Sequence, residues 1–267
     1  MIQDKDVLKN LKCKPPMPYI GGKTKLSKQI IAHFPEQNIA LKKRKNQYFV
    51  VPFFGAGGLF VENERWANCE VINDRNDDIA NLFIVIQNHP EEFCKTLEKM
   101  PNSETIFNRY LNTDKMFLTD IQKAVKTYYL HCHSFSANTK FYSPKPRSRE
   151  NAIENIMKVS KRLETVSIMN QDFAEIIKRF DRENVFLYLD PPYYEKEYLY
   201  QEKFSKKRHE ELRDLLKTFK GQFCLSYNNV PEIKELYKEF KIIKLETTYS
   251  CFQKTQQETT ELLIKNY

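Results

Sequence analysis

Short apolar runs alternate with longer amphipathic segments near the beginning of the chain. Residues 48–51 (YFVV) form a short apolar run, which a glycine turn and then a helical pattern follow. Residues 69–74 (CEVIND) form a second run, and residues 77–88 (DDIANLFIVIQN) repeat their apolar positions at helical spacing. The order strand, helix, strand, helix predicts a parallel sheet.

Strand patterns are largely absent from residues 89–165. Polar helical segments occupy residues 119–133 and 149–164, and the stretch between them is rich in turn formers, aromatic residues and cations. This change in pattern predicts a mainly helical insertion in an α/β protein.

The alternation of strand and helix resumes at residue 166. The apolar run 185–189 (VFLYL) leads directly into Asp190-Pro191-Pro192-Tyr193, and the last two strands, 241–249 and 260–267, have no helix between them. We therefore expect an α/β fold whose sheet is mostly parallel and ends in an antiparallel hairpin. Residues 1–88 and 166–267 are expected to form one domain, and 89–165 an inserted domain.

Composition narrows the possible partners. The chain has 43 Lys and Arg residues against 35 Asp and Glu residues, a net charge of +8, which favours a polyanionic partner. No apolar run approaches the roughly 20 residues of a membrane-spanning helix, and the charged first residues are unlike a signal peptide. We therefore expect a cytoplasmic protein with no membrane partner.

The cysteine and histidine patterns argue against a metal site. Six cysteines are scattered without a Cys-x-x-Cys pair. The one tempting cluster, His131-Cys132-His133, places adjacent side chains on one element, where they diverge. Neither a metal nor a disulfide framework is predicted.

Gly21-Gly22-Lys23-Thr24 resembles the end of a phosphate-binding loop. Such a loop needs a further glycine at position 17, which is Met17 here, and an apolar strand before it. The preceding residues are polar and broken by prolines, so the two glycines and the lysine need another explanation.

Three segments follow predicted strands, at the edge where parallel α/β sheets bind ligands. Phe54, Gly55 and Gly57 follow the first strand and would let the backbone approach a ligand. Asp74 follows the second strand and is placed to accept from ribose hydroxyls, and Asp190 follows VFLYL. A tight turn and a helix cap are the alternatives for the glycines and for Asp74.

Together these motifs resemble the DNA adenine N6-methyltransferases of the Dam group. The matching segments, in chain order, are Tyr19-Ile20-Gly21-Gly22-Lys23, Pro52-Phe53-Phe54-Gly55-Ala56-Gly57, Asp74, Asp190-Pro191-Pro192-Tyr193 and the tail ELLIKNY. The order is that of the alpha-type members, whose recognition region lies between the glycine motif and Asp-Pro-Pro-Tyr. The resemblance implies a Rossmann-like methyltransferase sheet with 89–165 as the target-recognition domain.

The resemblance also implies a cofactor, S-adenosylmethionine, with S-adenosylhomocysteine as product and no metal. Tyr19 would pack on the cofactor, Lys23 would lie near its amino-acid end or the DNA, and Asp74 would hold the ribose. Asp172 would face the cofactor's adenine, with a helix N-cap as the alternative. The implied cofactor-binding set is Tyr19, Lys23, Phe54, Gly55, Gly57, Asp74, Asp172 and Asp190.

For catalysis, the Asp190 carboxylate and the Pro191 carbonyl would accept the two N–H groups of a flipped adenine. Pro192 would keep the segment rigid, and Tyr193 would stack on the base, with a core tyrosine as its alternative. His209 is expected at the surface. The residues expected to bind DNA, with a solvated basic loop as the alternative, are Asn138, Lys140, Lys145, Arg147 and Arg149.

The activity expected is transfer of a methyl group to N6 of adenine in double-stranded DNA. Methylation of cytosine N4 or of RNA adenine is the alternative within enzymes, and a DNA-binding regulator is the alternative outside them. We expect a monomer in a bacterial or phage-infected cell, with a cognate restriction endonuclease as a partner.

Overall fold

The computed structural model describes residues 12–35, 47–197, 204–248 and 258–267. The chain divides into two compact units. The first consists of Met1–Thr24, Gly55–Arg65 and Asn76–Ile168, and the second of Lys25–Phe54, Trp66–Arg75 and Met169–Tyr267. The unit that contains 89–165 thus also takes in the glycine turn and the helix at 77–88, which the sequence had placed in the other domain.

The sheet has seven strands in the order β3-β2-β1-β4-β5-β7-β6. Strand β1 is parallel to β2 and β4, β4 is parallel to β5, and β7 is antiparallel to both β5 and β6. The predicted parallel sheet with a terminal hairpin is confirmed. The strands are β1 (Tyr48–Val51), β2 (Cys69–Asn73), β3 (Ser167–Met169), β4 (Val185–Leu189), β5 (Gln222–Asn228), β6 (Lys241–Thr248) and β7 (Glu258–Lys265).

Helices occur at the predicted 77–88, 119–133 and 149–164, whereas those at Ser27–Ile31, Pro90–Glu98 and Glu104–Asn112 were not singled out by the sequence pattern. Those of the first unit are α2 (Asp77–Asn88), α3 (Pro90–Glu98), α4 (Glu104–Asn112), α5 (Asp120–Cys132) and α6 (Arg149–Leu163), and those of the second are α1 (Ser27–Ile31), α7 (Phe173–Arg179), α8 (Lys206–Thr218) and α9 (Pro231–Leu236). The helix expected after the glycine turn is a single 3₁₀ turn, Phe60–Glu62. That turn stops because Asn63 is extended and its carbonyl accepts from Arg162 Nε at 2.7 Å.

The core of the second unit forms on both faces of β4, all of whose residues are buried. Leu187 belongs to a cluster with residues of β5, β7, α7 and α8. The alternate side chains Phe186 and Tyr188 meet Phe34, with ring centroids 4.8 and 5.5 Å apart. Burial on both faces is why VFLYL shows no polar alternation.

The first unit has its own apolar cluster of Phe107, Tyr129 and Leu130. The Tyr129 hydroxyl donates to Pro101 O at 2.8 Å and accepts from Ser103 N at 3.0 Å, so a buried polar group on α5 fixes the start of α4. Helix α5 itself begins in a reciprocal capping box between Thr119 and Gln122.

Replacing Leu187 by Ala should lower the free energy of unfolding by about 2–5 kcal/mol, because a fully buried side chain leaves a cavity in the central strand. Leu111→Ala, at a leucine that is 39% exposed, is the matched control and should cost much less. Urea unfolding followed by circular dichroism measures both. Equal losses for the two variants would contradict the assignment of the core to β4.

Candidate active site

The segment Asp190-Pro191-Pro192-Tyr193 leaves the carboxyl end of β4. Asp190 is half-buried and Pro191 is buried. Neither proline offers an N–H to a helix or sheet ladder, and each ring fixes its own φ angle, so the segment is extended and stiff. It ends in a tight turn, in which Lys196 N donates to Tyr193 O at 2.9 Å.

Tyr193 is half-buried, and its side chain is fixed at both ends. Its ring packs against the core with its centroid 6.1 Å from that of Tyr227, and its hydroxyl donates to Glu261 Oε2 at 2.8 Å. Burial, followed by the negative charges of Asp190 and Glu261, raises the pKa of Tyr193 well above its ordinary value. The hydroxyl therefore remains a protonated donor at neutral pH.

Glu261 and Asn228 are site residues that the sequence reasoning missed. They lie opposite each other on β7 and β5. Glu261 is only 3% exposed and receives the Tyr193 hydroxyl, while Asn228 Nδ2 donates to Tyr194 O at 3.0 Å. The available signal was a charged residue, Glu261, directly before the apolar run LLI of a predicted buried strand.

His209 is fully buried, so the expectation of a surface histidine is wrong. Its Nδ1 lies 2.6 Å from Tyr227 Oη and its Nε2 lies 2.9 Å from Glu197 Oε1. Burial lowers the pKa of His209, although Glu197 opposes that shift. The spacing of His209, Leu212 and Leu216, which share the buried face of α8, was the sequence signal for an inward side chain.

Asp74, directly after β2, is half-buried. Its backbone N donates to Met169 O at 3.3 Å and its carbonyl accepts from Asn170 Nδ2 at 2.8 Å. The N-cap of α2 is Asn76, whose side chain accepts from Asp78 N. The helix-cap alternative for Asp74 is therefore wrong.

Asn73, which the sequence reasoning did not single out, ties together the turns beyond three strands. Its Nδ2 donates to Pro52 O at 2.9 Å and to Gln171 O at 3.0 Å, and its Oδ1 accepts from Gln171 N. Its carbonyl accepts from Phe54 N at 2.9 Å. A buried carboxamide with these partners fixes where Phe54 and the residues after β3 lie.

Asp172 is the N-cap of α7, which confirms the alternative reading of this residue. Its Oδ1 accepts from Ala174 N at 2.9 Å and its Oδ2 is paired with Arg208. Burial opposes ionisation, but the hydrogen bonds from Arg208 and Ala174 outweigh it and lower the pKa of Asp172. Both carboxylate oxygens are thus already engaged.

The glycine turn and Tyr19 lie within the first unit. Gly55 and Gly57 have φ angles of +55° and +72°, which favour glycine. A Cβ at Gly55 would come within 3.0 Å of Tyr19 Cε1, so only glycine permits this approach. Tyr19 also stacks on His131, with ring centroids 5.3 Å apart.

Lys23 is buried, with 5% of its surface exposed. Its Nζ donates to Gly21 O at 2.9 Å, and Gly22 N closes the same turn by donating to Tyr19 O. Because the ammonium faces the turn in which it lies, the Gly-Gly-Lys segment is a compact bend next to the Tyr19 ring.

The basic loop of the first unit is the stretch 134–149, which runs from just after α5 to the first residue of α6. It closes through an isolated bridge between Ser134 and Tyr142. Asn138 Oδ1 accepts from the backbone N of Lys140 and Phe141 and so shapes the turn. Lys140 is exposed, as is Lys145.

The two arginines of this loop contact backbone carbonyls of the first unit. Arg147 Nε donates to Cys132 O at 2.7 Å, and Arg149 Nη1 donates to Glu98 O at 3.3 Å. Both residues remain exposed, so each guanidinium is oriented by the protein while retaining donors that face solvent.

Among the described residues, no group of three or more His, Cys, Asp or Glu side chains is arranged to hold a metal ion. Five cysteines in this part of the chain are free thiols. No described helix has both the length and the apolar composition needed to cross a membrane.

The chain is similar to proteins of one known family. The family described as D12 class N6 adenine-specific DNA methyltransferase matches residues 19–251. The type II methyltransferase M1.LlaDCHI of Lactococcus lactis subsp. cremoris is 29% identical, over 95% of each chain. The type II methyltransferase M.MjaIII of Methanocaldococcus jannaschii is 25% identical, over 68% of this chain and 70% of that protein.

A third relative, the DNA adenine methylase of Haemophilus influenzae, is 21% identical over 95% of this chain and 93% of its own length. The family match spans every segment on which the resemblance rests, from Tyr19 to beyond Tyr193, except the tail ELLIKNY. The chain therefore belongs to the D12 class of N6-adenine-specific DNA methyltransferases, which use S-adenosylmethionine as methyl donor.

Proposed function

We propose that the chain methylates a specific adenine in double-stranded DNA after that base is flipped out of the duplex, and that Asp190 and Pro191 activate its amino group. The observation that carries the proposal is the placement of Asp190-Pro191 at the carboxyl end of the buried strand β4. This strand lies beside β1, where the strand order changes direction, which is where open parallel sheets bind ligands. Base flipping is needed because a stacked adenine hides its amino group.

The chemistry to be assisted is nucleophilic attack by a weak nucleophile, since the lone pair of the adenine amino group is delocalised into the ring. The Asp190 carboxylate and the Pro191 carbonyl are assigned to accept one N–H each, which draws the nitrogen toward tetrahedral geometry. The carboxylate also stabilises the positive charge that grows on this nitrogen as the new N–C bond forms. A proton leaves the nitrogen afterwards. Bound S-adenosylmethionine supplies the electrophilic methyl group and leaves as S-adenosylhomocysteine.

The residues present suit a nucleoside cofactor. The missing Cβ at Gly55 lets the Tyr19 ring pack directly on the glycine turn, which places an aromatic side chain beside that motif. Asp74 directly follows β2 and is not the N-cap of α2, and we assign its carboxylate to the ribose hydroxyls. We assign Tyr19, Lys23, Phe54, Gly55 and Gly57 to the cofactor as well.

Asp172 and Asp190 complete this cofactor set. A contact of Asp172 with the adenine of the cofactor requires an oxygen that is shared with Ala174 N or with Arg208. Asp190 would lie near the methyl group of the cofactor, because the amino group that it activates attacks that methyl group.

Double-stranded DNA is assigned to the basic loop, with Lys140 and Lys145 at phosphates and Arg147 and Arg149 at base edges. Asn138 joins them through its Nδ2, because its Oδ1 holds the turn. We further propose that the protein acts as a monomer in the cytoplasm of a bacterial or phage-infected cell, together with a cognate endonuclease. The type II methyltransferases among its relatives support that setting.

The rival functions are less well supported. The matched family is adenine-specific and acts on DNA, which argues against cytosine N4 or RNA as the target. The intact Asp190-Pro191-Pro192-Tyr193 segment argues against a regulator without catalysis. Sequencing DNA from cells that express the chain, with a method that detects N6-methyladenine, tests the function directly and identifies the target sequence. Unmodified adenine throughout that DNA would contradict the proposal.

Replacing Asp190 by Ala should reduce methyl transfer by about 10²–10³-fold, because it removes the group that stabilises charge on the amino nitrogen. Tritium transfer from labelled S-adenosylmethionine to DNA measures the rate. Asp214→Ala, at a carboxylate that is 65% exposed on α8, is the control and should retain wild-type turnover. An Asp190→Ala enzyme with more than a tenth of wild-type turnover would rule out the assigned role.

Asp74→Ala should weaken cofactor binding by roughly 1.5–3 kcal/mol while DNA binding is unchanged, because hydrogen bonds from ribose to a charged acceptor are lost. Titration calorimetry with S-adenosylmethionine measures the first effect and DNA titration the second. Asp77→Ala, at the exposed first residue of α2, should leave cofactor affinity unaltered. Equal cofactor affinities for wild type and Asp74→Ala would remove Asp74 from the site.

Lys140→Ala and Lys145→Ala should each weaken binding of all duplexes similarly and flatten the slope of log affinity against log salt by about 1. Arg147→Ala or Arg149→Ala should instead cost about 1–3 kcal/mol on the target sequence and much less on unrelated DNA. Lys158→Ala, on α6 and paired with Glu154, serves as the control cation. If all four loop variants match wild type in affinity, salt slope and site preference, the loop is only solvated.

A further inference from the structure

One cross-strand pair of the terminal hairpin holds two consecutive residues of the catalytic segment. Glu261 on β7 faces Asn228 on β5 in the antiparallel register. The carboxylate of Glu261 receives the Tyr193 hydroxyl at 2.8 Å, and the carboxamide of Asn228 donates to Tyr194 O at 3.0 Å. One contact fixes a side chain and the other fixes the backbone of the next residue.

Burial of the Glu261 side chain is energetically unfavourable at this position. Its side chain is almost entirely buried, and burial of a carboxylate is unfavourable unless hydrogen bonds compensate. The next two residues of the strand, Leu262 and Leu263, are fully buried and apolar. Apolar packing alone does not favour a carboxylate at this point of the strand, and the hydrogen bond from the Tyr193 hydroxyl joins Glu261 to the catalytic segment.

The contact determines the direction of the Tyr193 ring. A tyrosine ring rotates about two side-chain bonds, and a hydrogen bond at its far end removes that freedom. Tyr227 lies beside the ring with an interplanar angle of 35°, so one side of Tyr193 meets protein. Tyr193 as a residue is half-buried rather than fully buried.

We propose that Glu261 is a positioning residue for the target base: through the Tyr193 hydroxyl it holds the Tyr193 ring in the orientation that stacks on the flipped adenine. This inference rests on the proposed base-stacking role of Tyr193. Glu261 contacts neither the base nor the cofactor in this scheme, and it acts only through the tyrosine. The terminal hairpin thereby takes part in substrate positioning as well as forming one edge of the sheet.

A double-mutant cycle tests whether Glu261 acts through that hydroxyl. Single-turnover methyl transfer is measured for wild type, Glu261→Ala, Tyr193→Phe and the double variant, on a duplex carrying the sequence that the wild-type enzyme methylates. Tyr193→Phe keeps the ring and removes the hydroxyl. Each single variant should be about tenfold slower than wild type, which is the loss expected for one hydrogen bond to a charged acceptor.

The double variant should be no slower than Tyr193→Phe alone, because the contact is already absent there. Glu261→Gln keeps an acceptor oxygen and should recover part of the rate in the wild-type background, with no effect in the Tyr193→Phe background. If Glu261→Ala does not fold, the same cycle is run with Glu261→Gln. Glu246→Gln, at an exposed carboxylate on the neighbouring strand β6, is the control and should match wild type. Cofactor affinity by calorimetry should be unchanged in every variant.

A merely structural Glu261 gives a different pattern. It would slow the Tyr193→Phe enzyme by the same factor as the wild-type enzyme, and that additivity would overturn the inference. Rates for Glu261→Ala within twofold of wild type would overturn it as well. Lack of methyl transfer by the wild-type chain would overturn the proposed function itself, which distinguishes that failure from failure of the cycle alone.

Discussion

Parallel pairing of β4 with β1 on one side and β5 on the other is the constraint on which the catalytic segment depends. The register aligns Leu187 with Val50 and with Phe223, so the strands run side by side in one direction. Their carboxyl ends then share one edge, and Asp190 lies there because it directly follows Leu189, the last residue of β4. Because both prolines lack a backbone N–H, neither can donate to the sheet ladder, and the segment remains available for chemistry.

The same edge is stabilised by side chains that do no chemistry. Asn73 connects the turns after β1, β2 and β3 with a single buried carboxamide, and Asn228, the last residue of β5, donates to Tyr194 O in the segment after β4. Loops that follow strands have few backbone partners of their own, so they are positioned by such side-chain contacts. These asparagines explain how turns of irregular backbone present Phe54 and Tyr194 in defined places.

The sequence was sufficient for the parts of the fold that periodicity and strand ends determine. It predicted strands β1, β2, β4, β6 and β7, the terminal hairpin and a helix at 119–133, because apolar runs and helical spacing leave local signatures. It failed where tertiary contacts decide. The 3₁₀ turn at Phe60–Glu62 ends early because Arg162, distant in the chain, takes the carbonyl of Asn63. His209 lies on the buried face of α8, although its cationic neighbours in the sequence suggested an exposed position.

Some site residues could be predicted from the sequence and others could not. Asp190 and Asp74 are detectable because they follow apolar runs, whereas Glu261 becomes a neighbour of Tyr193 only through antiparallel pairing of β7 with β5. The direction of β7 matters for this. Residues near the beginning of an antiparallel strand lie beside the carboxyl ends of its parallel neighbours, so Glu261 enters the catalytic edge where a parallel β7 would bring its last residues instead. The hairpin that closes the sheet is thus also the means by which a second carboxylate reaches the segment that begins with Asp190, and both charges act on the hydroxyl of Tyr193.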